Sequence, residues 1–296
     1  MVKSKGTKLR IAWWNTSLNP PVNKNKINIH TTPDEVWMVL LWLMNRYDII
    51  FCGEFSDSAV RSQVLSCKRT WKFMPMADFP RNGIKMNLGV FVRNSVAVIK
   101  ECGELEAFNT IVSARREKTS TRYRVGVRIR MKLNAIKSNM EFYVLHWRNY
   151  GEANSDFIKD SAALTLCNYV NLSSDFPLKI CLGDFNVEPW ASSLAKLSSS
   201  RSLSYIRKYG GFYNPFWQFL HEDNGSLCYP EHVRLLSNNL MFDQILLYHG
   251  LWDCFDLNVN AVIERPKCLN VSKGCHFPIG VSIYFNSKKG SHNARI

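Results

Sequence analysis

The chain has 296 residues, 46% hydrophobic and 21% charged, a composition that excludes wholesale disorder and permits a substantial core. Its 38 lysines and arginines against 24 aspartates and glutamates give a formal charge of +14, which favours polyanionic partners such as nucleic acid or anionic lipid. The 9 cysteines are scattered without a C-x-x-C pair, as expected of reduced thiols in a cytoplasmic protein. The opening MVKSKGTKLR has no apolar leader core, and the densest apolar run, 37–44, is far shorter than the roughly 20 residues that span a bilayer, so no membrane association is expected.

The first predicted strand, LRIAWWN, runs from Leu9 to Asn15 and ends on a polar side chain. A helix follows: Thr32 is placed to cap it, Pro33 fits its first position and Glu35 completes a capping box, and the apolar pattern carries it to about Asn45. Ile49 to Cys52 reads as a buried strand that stops at Gly53 and Glu54. Leu88 to Lys100 reads as two strands around a tight turn at Arg93 to Ser95. A second hairpin pairs YRVGVRIRMKL with EFYVLHW. In its first strand, Tyr123, Val125, Val127, Ile129, Met131 and Leu133 alternate with Arg122, Arg124, Gly126, Arg128, Arg130 and Lys132, so one face is core and the other cationic. Such a face is either simply solvated or turned toward phosphate.

The second hairpin ends at His146, and a helix is expected over 155–172. The strand KICLGD then delivers Asp184, with Asn186 two residues on and Pro189 breaking the chain. SSSRSLSYIRKYGGFYNPFW reads as short helix and loop, LMFDQILLYHG as a strand holding Asp243 among apolar neighbours, and PIGVSIYF, after Gly274, Cys275 and His276, as the last strand. With no internal repeat and no linker, the expectation is one domain over 1–296, its core at 9–285 and a basic tail at 286–296, built as a mixed α/β sandwich.

Asn15, Glu54, His146, Asp184, Asn186, Asp243 and His276 each lie at or beside a predicted strand end, from where rigidly held side chains can converge at one sheet edge. Carboxylates, amides and imidazoles without a G-x-S-x-G nucleophile suit hydrolysis by an activated water. Glu54 and Asp184 can supply the one or two carboxylates that Mg²⁺ favours, and an imidazole with a pKa of about 6.5 can move a proton near neutrality.

The ordered series WWN, GEF, VLHW, LGDFNVEPW, FDQILL and CHFPIG resembles the endonuclease/exonuclease/phosphatase superfamily, from Leu9 to Phe285. The resemblance implies a four-layer sandwich of two mixed β-sheets flanked by helices, with a Mg²⁺-dependent phosphodiesterase site in which Mn²⁺ can substitute. It implies Glu54 as principal metal ligand with Asn15 in or beside the metal and phosphate shell, Asp184 and Asn186 positioning water and phosphate, His276 at the scissile phosphate oriented by Asp243, and His146 as a second catalytic histidine. Either His276 or Asp184 takes the proton from the attacking water.

One position departs from the family pattern. Cys275 stands where an aspartate usually precedes the last histidine, which implies weakened metal affinity; a Cys275–Cys268 zinc site matches no structural zinc spacing. The basic composition makes nucleic acid, DNA or RNA, the expected substrate, with Arg115, Arg116, Arg201, Arg207, Lys208 and Tyr213 as candidate contacts. The alternatives are a phosphatase of inositol phosphates or phospholipids, and a nucleic-acid-binding protein whose catalysis Cys275 has weakened.

Overall fold

The computed structural model describes residues 7–18, 31–55, 60–77, 87–112, 118–147, 155–173, 176–222, 224–228, 239–269 and 275–286. In chain order the elements are β1 (Thr7–Asn15), α1 (Pro33–Met44), β2 (Ile49–Gly53), α2 (Arg61–Ser66), β3 (Trp71–Ala77), β4 (Leu88–Arg93), β5 (Ala97–Val112), β6 (Lys118–Leu133), β7 (Ser138–His146), α3 (Ser155–Leu172), β8 (Lys179–Asp184) and α4 (Ser192–Lys196). There follow β9 (Ser199–Ser200), α5 (Leu203–Tyr209), β10 (Phe212–Tyr213), a 3-10 helix (Pro215–Glu222), β11 (Leu227–Cys228), β12 (Asn239–Leu240), β13 (Asp243–Tyr248), α6 (Gly250–Cys254), β14 (Asp256–Ile263), β15 (Cys275–His276) and β16 (Ile279–Asn286).

Six strands form one sheet in the order β14-β16-β1-β2-β4-β3, seven form a second in the order β5-β6-β7-β8-β13-β10-β9, and β12-β11-β15 make a small third. Both large sheets are mixed: β1 with β2 and β7 with β8 run parallel, while their other neighbours are mostly antiparallel. Alternation along each strand decides what meets what. Ile11, Trp13, Phe51 and Val90 from the first sheet and Val127, Phe142, Ile180 and Ile245 from the second form the core between them. The opposite faces pack against helices, with Ala12, Trp14 and Cys52 under α1 and Tyr143, Leu145 and Cys181 under α3. Each fully buried Leu, Ile or Phe contributes about 1.5–3 kcal/mol, so the faced sheets carry most of the stability. The result is the four-layer α/β sandwich expected.

The capping box of α1 forms as read, Thr32 Oγ1 accepting from Glu35 N and Glu35 Oε2 accepting from Thr32 N at 2.8 Å. The helix over 155–172 matches α3, and the hairpin ending at His146 is β6–β7, closing at Leu133 opposite Ser138. The expected hairpin around Arg93 is corrected. β4 lies between β2 and β3 in the first sheet, whereas β5 pairs along β6 in the second, so residues 94–96 cross between sheets. A turn signal is local and carries no information about which sheet the next strand joins.

The alternation read into β6 also breaks at one point. Leu105 pairs with Gly126 and Glu106 with Arg124, which leaves Val125 as a bulge. Val125 therefore packs on the α3 side while Val127, Ile129, Met131 and Leu133 line the core. On the cationic face, Arg128 pairs with Glu101 at 3.2 Å, and Arg130 with both Glu101 and Glu141 at 2.7 Å, so these charges are neutralised within the protein. Among the described residues no helix is long and apolar enough to cross a membrane. The eight cysteines with described side chains are thiols outside any disulfide.

Candidate active site

The inward-facing apolar series of the strands ends in polar groups at one edge of the sandwich. On β1, Leu9, Ile11 and Trp13 face the core and Asn15 is the next residue of that parity; on β7, Phe142 and Val144 lead to His146; on β8, Ile180 and Leu182 lead to Asp184. Asp243 opens β13 ahead of Ile245 and Leu247. Register aligns these ends, Asn15 with Gly53, His146 with Asp184, and Asp243 with Asp184. Each polar side chain thus stands one step beyond the apolar core, where its strand meets the mouth.

Asn15 joins the two sheets. Its Nδ2 donates to Glu54 Oε1 at 3.3 Å and Asp184 Oδ2 at 3.1 Å, while its Oδ1 accepts from Ser17 N at 3.1 Å. His146 Nε2 lies 3.5 Å from Glu54 Oε1 and 3.9 Å from Asp184 Oδ2, and its buried Nδ1 has no hydrogen-bond partner among the described residues. His276 Nδ1 is 2.7 Å from Asp243 Oδ2 and 4.0 Å from Asp184 Oδ2. Trp13 Nε1 donates to the other Asp243 oxygen at 2.7 Å, and Trp14 Nε1 donates to the His276 carbonyl at 2.9 Å.

Backbone strain collects here. Ser17, Glu54 and Asn186 have φ of 51°, 50° and 50°, a left-handed conformation that costs a non-glycine residue about 1–3 kcal/mol and persists where its surroundings enforce it. Thr16 Oγ1 donates to the Glu54 carbonyl at 2.9 Å. At the other turn, Asn186 N donates to Asp184 Oδ1 at 2.9 Å, Asn186 Nδ2 to the Trp147 carbonyl at 2.9 Å, and the buried Lys159 Nζ to the Asn186 carbonyl at 2.8 Å. Lys159 projects from α3 beneath the turn and fixes it from below.

Burial raises the pKa of Asp184, and the negative charge of Asp243 adds to this, against the pull of His276, His146 and the Asn186 N–H. Burial alone would lower that of His276, but the charge and hydrogen bond of Asp243, with the charges of Asp184 and Glu54, outweigh it and lift the imidazole to about 9. At neutral pH His276 is therefore a cation held by Asp243. Asp184, Asp243 and His276 have ligand atoms within 4.8 Å of one another. An imidazolium is no metal ligand, however, so this trio reads better as an ion pair beside Asp184. The oxygens of Glu54 and Asp184 are the fitting donors for a hard cation: Asn15 Nδ2 lies against both, the place where positive charge is called for.

The structure thus brings Asn15, Glu54, His146, Asp184, Asn186, Asp243 and His276 to one place. It does not bring the candidate nucleic-acid contacts there. Tyr213 pairs with Leu247 near the far end of β13 from Asp243, and Arg201, Arg207 and Lys208 are exposed on or just before the neighbouring α5; Arg115 and Arg116 lie outside the described residues. Cys275 is 4% exposed and belongs to the apolar cluster that includes Trp14, Leu269 and Phe277, the face of β15 away from the His276–Asp243 pair. Trp13 and Lys159 were not legible as site residues: one reads as core, the other as a solvated helix position.

The sequence matches the family model described as Endonuclease/Exonuclease/phosphatase family over residues 68–269. A search of curated proteins gave no significant sequence match. Among solved structures, the human Nocturnin catalytic domain with bound sulfate anion is similar at a TM-score of 0.61 and 13% identity, over 94% of this chain and 95% of that one. Truncated Caenorhabditis elegans TDP2 gives a TM-score of 0.61 at 12% identity, over 95% and 98% of the two chains. D. rerio TDP2 complexed with single strand DNA product gives 0.60 at 11% identity, over 94% and 99%. At these identities the likeness is one of fold.

Proposed function

Because the chain belongs to the endonuclease/exonuclease/phosphatase family, we propose that it is a metal-dependent phosphodiesterase that hydrolyses nucleic acid by attack of water on phosphorus. The observation that carries the reading is the convergence of Glu54, Asp184 and Asp243 with two imidazoles around the Asn15 amide. Glu54 and Asp184 would hold Mg²⁺, or Mn²⁺ with its similar oxygen preference, and such an ion supplies charge stabilisation at the phosphoryl oxygens.

The chain's own residues do the rest. Asp243, itself fixed by Trp13, engages Nδ1 of His276 and leaves the ring's other nitrogen to donate to a phosphate oxygen. Asp184 accepts from Asn186 N on Oδ1 and from the Asn15 amide on Oδ2, which holds the carboxylate in place to orient the attacking water. His146 turns Nε2 toward Glu54 and Asp184, so this nitrogen is the one placed to meet the phosphate or the leaving group.

Nucleic acid is favoured as substrate by the formal charge of +14 and by a relative solved with a single strand DNA product. The burial of Cys275 in an apolar cluster argues against weakened catalysis through loss of a metal ligand. The test is a Mg²⁺ titration with DNA, RNA and phosphoinositide substrates side by side. Turnover of polynucleotide is expected, and Glu54→Ala, Asp184→Ala and His276→Ala should each lower it about a hundredfold or more with the fold intact. Hydrolysis of phosphoinositide alone would move the assignment to a phosphatase, and undiminished rates in folded variants would remove the site.

A further inference from the structure

The basic and aromatic residues of α5 lie far from the catalytic groups, and their own arrangement is that of a binding surface. Between Glu188 and Glu222 the sequence has four lysines and arginines and no acidic residue. Lys196 is paired with Asp160, but among the described residues Arg201, Arg207 and Lys208 have no carboxylate partner, and all three are exposed. Ser202 caps α5 by accepting from Tyr205 N at 3.2 Å, and Ile206 anchors the helix in the protein. The outward turn then presents Tyr205 and Tyr209, one helical turn apart, with 52% and 63% of their surfaces exposed and ring centroids 4.8 Å apart. Lys208 Nζ sits 4.8 Å from the centroid of the Tyr209 ring.

We propose that this surface is a second, non-catalytic contact for a single-stranded polynucleotide, an inference that rests on the nucleic-acid reading of the catalytic site. Two exposed rings offer faces on which unpaired bases stack, and the uncompensated cations beside them match the phosphates of the same chain. A duplex hides its base faces and gains little from the rings, so the single strand is the better fit. The strand β13 runs about 17 Å from Asp243 to Tyr248, next to which β10 and α5 lie, so a ligand must be several nucleotides long to touch both places.

The test measures binding in a cleavage-silent Asp184→Asn background, by fluorescence anisotropy with a labelled oligothymidylate of about twenty nucleotides and with a trinucleotide. Adding Tyr205→Ser, Tyr209→Ser, Arg207→Gln and Lys208→Gln together should weaken the long oligonucleotide by about tenfold and leave the trinucleotide unchanged. Equal weakening of both lengths, or no weakening of the long one, overturns the proposal. So does binding of phosphatidylserine vesicles that these substitutions abolish while oligonucleotide binding persists, since the patch then serves a membrane. Circular dichroism establishes that the variant is folded. Should it misfold, photocrosslinking of the unsubstituted surface to a thiothymidine oligonucleotide replaces it, with adducts at Tyr205 or Tyr209 in support and adducts confined to the catalytic end against. Because hydrolysis is not read, failure of the catalytic proposal and failure of this one are separate results.

Discussion

His276 is the residue whose charge its surroundings control most strongly. Its folded-state pKa of about 9 lies above the 6.5 of a free imidazole, so the pairing with Asp243 stabilises the fold in full below about pH 6.5. That contribution is lost as pH rises through about 9. In Asp243→Asn the imidazole should titrate at lower pH, and the decline in melting temperature between neutral and alkaline pH should flatten. An unchanged midpoint, followed by NMR of the His276 ring proton, would assign the shift to another group. Residues such as Asp184 and Asp243 were legible in the sequence because a carboxylate interrupts an apolar series, and burying one without a task is costly. Trp13 was not, because its indole continues the core pattern while its N–H serves Asp243. Lys159 gave no signal either, since only the packing of α3 under the Asn186 turn buries it.

At the scale of elements, the strand that carries Asp184 depends on Gly183. Its φ is +150°, and a Cβ there would stand 2.0 Å from the Leu145 carbonyl oxygen of the neighbouring strand. Gly183→Ala should therefore destabilise well beyond the roughly 1 kcal/mol typical of a point substitution, read as a lower urea midpoint; an unchanged midpoint would mean that β7 and β8 can separate freely. The elements read correctly were those with strong local grammar, such as the capping box of α1 and the apolar runs of β1, β2 and β8. β3 was missed because Pro75 interrupts it, which an edge strand at a register shift tolerates. β14 was missed because it is an edge strand covered on one side only, with Asn258 and Asn260 among its apolar residues. The Val125 bulge and the crossing at 94–96 depend on partners distant in sequence, and no local pattern encodes them.

For the whole molecule, the balance of charge bears on the proposed nucleic-acid substrate. A formal charge of +14 predicts that oligonucleotide affinity, measured with the Asp184→Ala variant, falls more than about tenfold between about 50 and 200 mM salt. A flat dependence would argue for a small or uncharged ligand. A mixed α/β sandwich was legible in the interleaved strands and helices, whereas the two sheets and four layers were implied by the resemblance of the ordered motifs to the family. The Asn15 amide, bonded to Glu54 of one sheet and Asp184 of the other, has one more consequence. It makes the candidate site a latch across the seam of the sandwich, assembled only while the halves are docked in register. A loosened state that keeps its strands and helices but lets the sheets slide would part the Asn15 amide from Asp184, so these side chains should separate before the secondary structure is lost.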